Sequence, residues 1–197
     1  MKRNIIIVRM AGIALMMAMV VVMQAIGGMI PPVSGFSISL VLIPIVLGAA
    51  VFGPKAGAFL GGTFGVIVYI NCMTGADPSG AMVFQASPVL CFLVVMGKGI
   101  LAGLGAGAVY RLLKGTNPYL AMLAAAIVCP VINTGVFVAS MFLFFMDVLS
   151  AWAGGGDLLG FAMTVLVLAN FVPELILNVA FSPAGARIYR VVEGKLA

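Results

Sequence analysis

Two charged residues of this 197-residue chain, Lys98 and Glu174, lie inside long apolar stretches. A charged side chain at the centre of a membrane helix costs about 2.5–3.5 kcal/mol on insertion scales, so an ion in such a place marks a functional candidate. Neutral polar groups accompany them. Asn133 and Thr134 sit in another apolar stretch, Asn170 and Asn178 flank Glu174 at intervals of four, and Gln85 precedes the stretch that holds Lys98. Residues four apart share a helix face, so Asn170, Glu174 and Asn178 are expected to form one polar stripe. An ammonium, a carboxylate and several amides make a binding set for a small polar ligand, and Lys98 favours an anionic group on it, a carboxylate foremost. Catalysis is not expected. Histidine is absent, Cys72, Cys91 and Cys129 are scattered with no C-x-x-C pair, and the five acids are widely separated. Neither a metal cluster nor a nucleophile with its base can be assembled from that inventory, so no enzyme, metal or cofactor is expected. The cysteines read as small apolar fillers of helix surfaces.

The elements that would position these groups follow from composition. The chain is 64% hydrophobic and only 8% charged, with mean hydropathy +1.29, whereas a soluble domain carries about 25% charged residues. The bilayer is the expected solvent. A net charge of +5 does not point to nucleic acid, because the basic residues form short clusters between apolar runs and no continuous stripe. Hydropathy breaks predict an all-α membrane protein of a single transmembrane domain, with six spans near 10–30, 37–52, 55–71, 86–113, 118–146 and 160–186. The first run is about 20 residues long, more than the roughly 7–15 of a secretory signal core, and is read as a retained helix. The second is short for a span and is expected to be tilted or partly re-entrant. Segments 72–85 and 147–159 are rich in Gly, Pro and Ser and read as outer loops.

Orientation follows from the positive-inside rule. With six spans and both termini cytoplasmic, nine of the ten basic residues fall inside, and the outer loops hold Asp77, Asp147 and Asp157 with no Lys or Arg. At about 1.5 Å per residue, Lys98 and Glu174 each lie about 20 Å from the cytoplasmic edge, and Asn133 about 22 Å. Three helices therefore present polar groups at one depth. Pro173 beside Glu174, and Pro130 one turn before Asn133, are expected to kink their helices and free carbonyls, as is tolerated where a cavity is lined. The expectation is a polar pocket opening outward. A plainer alternative stays open: Lys98 and Glu174 pair as a structural bridge, with the asparagines as interhelical glue. Small residues also recur at intervals of four: Gly57, Gly61 and Gly65; Gly99, Gly103 and Gly107; Ala14 and Ala18. For the glycines, close internal helix packing is expected.

Several stretches, taken in order, resemble the substrate-binding S components of energy-coupling factor (ECF) vitamin transporters. Ala14-Leu15-Met16-Met17-Ala18 is similar to the Ala-xxx-Ala signature of their first helix. Lys98 to Lys114, with its spaced glycines and Tyr110-Arg111, resembles their fourth helix, Asn133-Thr134 their fifth, and Pro173-Glu174 their sixth. Lys98 departs from the Arg often found at its place and offers no bidentate fork. The resemblance implies a substrate-capture subunit of the plasma membrane that docks, through a face including Ala14 and Ala18, on a transmembrane coupling subunit driven by two cytoplasmic ATPases. It also implies a vitamin-like ligand held in a pocket shaped by helices four to six and the outer loops, and the polar residues Lys98, Asn133, Thr134, Asn170, Glu174, Asn178 and Gln85 are the expected ligand contacts there. Consistently, the chain has no G-x-x-x-x-G-K-[ST] phosphate loop.

Among the ligands of such families, pantothenate best matches one cation among amides, having one carboxylate, an amide and hydroxyls; folate, riboflavin and cobalamin are the alternatives. A single Trp152 and 9% aromatic content argue against a large planar ring held by stacking. The alternative reading is a gradient-driven secondary transporter using Glu174 as a proton site. Such carriers commonly show internal repeats, and none is evident here.

Overall fold

The structure, a computed structural model, describes residues 2–29 and 40–196, with side chains at 6–28 and 40–192. The described residues form helices joined by short turns. Helices α1 (Lys2–Met29), α3 (Pro54–Thr74), α5 (Pro88–Leu113) and α6 (Pro118–Phe144) are each long and apolar enough to cross a membrane. So is the continuous rod Leu158–Val192. The chain is thus a multi-pass membrane protein, as its composition demands.

Between α1 and α3 lies α2 (Leu42–Phe52), whose 11 residues span about 16 Å against roughly 30 Å of hydrocarbon. It stands where the second span is expected; residues 37–39 of that expected span, and residue 30 of the first, lie outside the described residues. Its place in the bundle accounts for its character. It packs against α1, α3 and α5, against α6, and against the last helix α9 (Val172–Leu196), and nine of its residues are buried. A helix apolar on all sides belongs in such an interior.

Prolines set four helix starts. Pro54, Pro78, Pro88 and Pro118 each stand in a first turn, where a missing N–H costs nothing and φ is already helical. Gly53, at φ 96°, makes the turn between α2 and α3 that a side chain would resist. The Asn117 carboxamide oxygen accepts from the Tyr119 N–H at 2.9 Å and caps α6.

Two expectations about loops are corrected. The stretch 72–85 holds the end of α3 and most of α4 (Pro78–Ala86), and the stretch 147–159 takes in most of α7 (Met146–Trp152). Both α4 and α7 are short helices whose Gly, Pro and Ser content marks their ends more than their interiors. Ser87, held extended before Pro88, separates α4 from α5, because the residue before a proline is disfavoured in the helical region. Edge-on contacts of Tyr69 with Phe84 (5.6 Å) and Phe92 (5.2 Å) fix α4 between α3 and α5.

The most intimate pairing is α3 with α5. A Cβ added at Gly61 would meet the Gly99 carbonyl oxygen, and one at Gly57 the Gly103 carbonyl oxygen; the reverse substitutions meet the same backbone. The four-residue glycine period is the contact line of two touching backbones.

The last rod changes pitch along its length. It runs as α8 (Leu158–Phe161), a π-helical segment Ala162–Phe171, then α9. Pro173 stands just after the π segment. Having no N–H to donate, it breaks the hydrogen-bond ladder where the wide spacing reverts to α. The expected disturbance at Pro173 takes this form, in a π segment of ten residues that is long for its type.

Candidate functional site

Five of the polar residues singled out in the sequence meet in one cavity. Lys98 comes from α5, Asn133 and Thr134 from α6, Asn170 from the π segment and Glu174 from the first turn of α9. The cavity offers ≈ 110 Å³ to the centres of water-sized molecules, several times the roughly 10–15 Å³ that one water requires. Glu174 is 1% exposed, Asn133 4% and Thr134 6%. Asn133 Oδ1, Thr134 Oγ1 and Asn170 Oδ1 are buried without a hydrogen-bond partner. A buried polar atom left unsatisfied costs about 1–3 kcal/mol, so three at one cavity wall form a concentrated store of unspent hydrogen-bonding capacity.

Lys98 faces aromatic rings. Its ammonium lies 5.0 Å from the Phe137 ring centroid and 5.6 Å from that of Phe64. Glu174 acts on it electrostatically from the same cavity, so the two intramembrane charges line one wall.

Two expected members stand elsewhere. Asn178 is buried but off the cavity wall; its amide donates to the Glu174 main-chain carbonyl at 2.9 Å. The expected stripe Asn170–Glu174–Asn178 stops at Glu174: Asn170 and Glu174 line the cavity, whereas Asn178, one α-helical turn further on, spends its amide on its own helix backbone. Gln85 is exposed on α4, whose cavity face carries Ser79, Gly80 and Val83. Two residues beyond Val83 is over half a turn away, which turns Gln85 outward. Ala14 and Ala18 are exposed on α1, away from the cavity.

Residues that sequence reasoning did not single out complete the wall. Gln24 reaches it from α1, Asn71 from the end of α3, and Asp77 and Ser79 from the start of α4. Asn71 and Asp77 are polar residues at the junction of an apolar run with a turn, where solvation is the ordinary expectation. Phe64 and Phe137 carry no sequence signal, being aromatics in apolar helices. Trp152 lines the cavity from α7, with its indole 6.5 Å from the Phe137 ring and its N–H on Met82 Sδ at 3.2 Å. Cys72 and Cys91 also line it, whereas Cys129 is core; all three are buried and reduced.

A membrane-embedded helical bundle around a cavity whose wall mixes apolar surface with unspent acceptors, and sets one cation against aromatic faces, is the design of a protein that binds a small molecule within the bilayer. Comparison with known sequences gives the particular family. A profile of the "ECF transporter, substrate-specific component" family matches residues 8–184, and the chain belongs to that family. It is therefore a transporter component located in the cell membrane. Among curated relatives, the "Pantothenic acid transporter PanT" of Lactococcus lactis subsp. cremoris (strain MG1363) is 26% identical over 183 residues, covering 87% of this chain and 88% of the relative.

Proposed function

We propose that this chain captures pantothenate, or a closely similar monocarboxylate bearing an amide and hydroxyls, from outside the cell. It then delivers the ligand through a transmembrane coupling subunit driven by two cytoplasmic ATPases. The observation that carries the ligand assignment is the convergence of Lys98 with the three unpartnered acceptors of Asn133, Thr134 and Asn170 in one buried cavity. One cation suits one carboxylate, and buried acceptors suit hydroxyl and amide N–H donors. Glu174 would take a further hydroxyl. A relative named as a pantothenic acid transporter, matching most of both chains, supports the same choice.

Both termini are placed in the cytoplasm in this proposal, since the basic residues then lie inside. Ala14 and Ala18 belong to the docking surface for the coupling subunit. Their support is exposure on α1, whose spanning portion is the least buried of the long helices.

The test is thermal stabilisation of the purified protein against a panel of B vitamins and precursors. A ligand at about 1,000 times its Kd adds about 4 kcal/mol to stability. Stabilisation by pantothenate alone supports the assignment; stabilisation by a different vitamin replaces it. No response from folded protein overturns it. Copurification of the ATPases separates this mechanism from a gradient-driven carrier.

A further inference from the structure

We infer that Phe64 and Phe137 are positioning residues that hold the Lys98 ammonium in place and so create the anion-binding end of the cavity. The inference rests on the ligand-binding reading above and adds the physical device behind it.

A lysine side chain has a flexible four-carbon stem ending in a strongly hydrated point charge. Nothing in the covalent structure fixes where that charge stands. Here two rings from different helices flank it, Phe64 of α3 at 5.6 Å and Phe137 of α6 at 5.0 Å, both within the roughly 6 Å range of a cation–π interaction. Such attraction is strongest where the cation has lost its water. The rings thus offset part of the desolvation of Lys98 beside Glu174, which acts on it from the same cavity, and hold the ammonium at one place on the wall where a ligand carboxylate can meet it.

The backbone arrangement shows why the rings can be there. Gly99 follows Lys98 directly, and a Cβ at Gly99 would stand 3.4 Å from Phe64 Cδ1 as well as striking the Gly61 carbonyl oxygen. The glycine contact line of α3 and α5 therefore brings the Phe64 ring up to the Lys98 stem. Phe137 stands one turn of α6 beyond Asn133 and Thr134, so a carboxylate at Lys98 places the rest of a short ligand beside those amide and hydroxyl groups. Phe137 also faces Trp152, which gives the anion end a wall made of rings.

The experiment compares pantothenate with its carboxamide analogue, in which the carboxylate is replaced by a neutral amide, in the wild-type protein, Phe137→Leu and Phe137→Tyr. Expected is a fall of about tenfold in the affinity ratio of acid to amide in Phe137→Leu, with recovery of most of the ratio in Phe137→Tyr, whose ring also binds cations. Equal losses for acid and amide would reduce Phe137 to packing and overturn the inference. A ligand-free double-mutant cycle on thermal stability, Phe137→Leu with Lys98→Met, covers the case in which wild-type protein binds no pantothenate. That result sinks the ligand assignment, and the cycle then decides the inference by itself. Non-additivity equivalent to about five- to tenfold in the folding equilibrium supports it, and additive effects overturn it.

Discussion

The indole N–H of Trp152 donates to the sulfur of Met82 at 3.2 Å, so the two short helices α7 and α4 meet at the cavity that both help to line. Each of these helices has an end in a turn on the same side of the bundle, and neither is long enough to cross a membrane. They are cover, while the long helices are frame. Since this is the only tryptophan of the chain, its emission is a direct report on that cover.

Ligand entry should therefore change Trp152 fluorescence in a saturable way, with a midpoint equal to the Kd measured by calorimetry. Trp152→Phe should lose the signal. A wild-type protein that binds ligand with unaltered emission would show that the ligand sits away from α7.

Removal of the cation should be severe for an acid and mild for stability. Lys98→Met is expected to weaken pantothenate binding by roughly 10- to 100-fold, the range for a lost hydrogen bond to a charged group. The protein should remain folded, because a methionine fits the space along Phe64 and Phe137 and brings no charge to desolvate. Unchanged affinity in calorimetry would remove Lys98 from the site.

The unpartnered acceptors set function against stability. Asn133→Leu removes a buried oxygen that has no partner within the protein, so the ligand-free protein should gain about 1 kcal/mol in stability while the ligand-induced thermal shift shrinks. If the variant is instead less stable and binds normally, Asn133 is structural glue.

At the α3–α5 contact the direction is reversed. Alanine ordinarily gains about 1 kcal/mol over glycine within a helix. At Gly61 the added Cβ meets the Gly99 carbonyl oxygen, which is backbone and cannot swing aside. Gly61→Ala should therefore lower stability by about 1–3 kcal/mol, the cost of overpacking. Gly97, where a Cβ meets nothing within 4 Å, is the control and should tolerate alanine in the same thermal assay.

Substitution on the outer face of α1 should separate binding from transport. Ala14→Trp combined with Ala18→Trp adds bulk to exposed positions away from the cavity. Ligand affinity should hold while uptake by cells falls to background. Loss of binding in the purified double variant would move these alanines from a docking surface to the protein's own packing.

Composition by itself determined that this chain lives in a bilayer, because 64% hydrophobic residues with 8% charge leave no other solvent. Isolated polarity in apolar runs was equally legible. Lys98, Asn133, Thr134, Asn170 and Glu174 are conspicuous because each is costly where it stands, and depth along a helix can be counted from the nearest end. The glycine period was readable for the same kind of reason, since only touching backbones require it. What depends on rotation about a helix axis was not readable. Whether Asn178 or Gln85 faces the cavity turns on a backbone carbonyl that takes up the Asn178 amide and on the rotation of α4 that points Val83 inward and Gln85 outward, neither of which spacing reveals. Residues whose role comes only from company were hidden altogether. Phe64 and Phe137 look like any apolar aromatics until three helices bring them to Lys98. Asn71, Asp77 and Trp152 look like solvated turn residues until α4 and α7 fold over the cavity. Costly groups announce themselves in a sequence; cheap ones acquire meaning only from the neighbours that tertiary structure supplies.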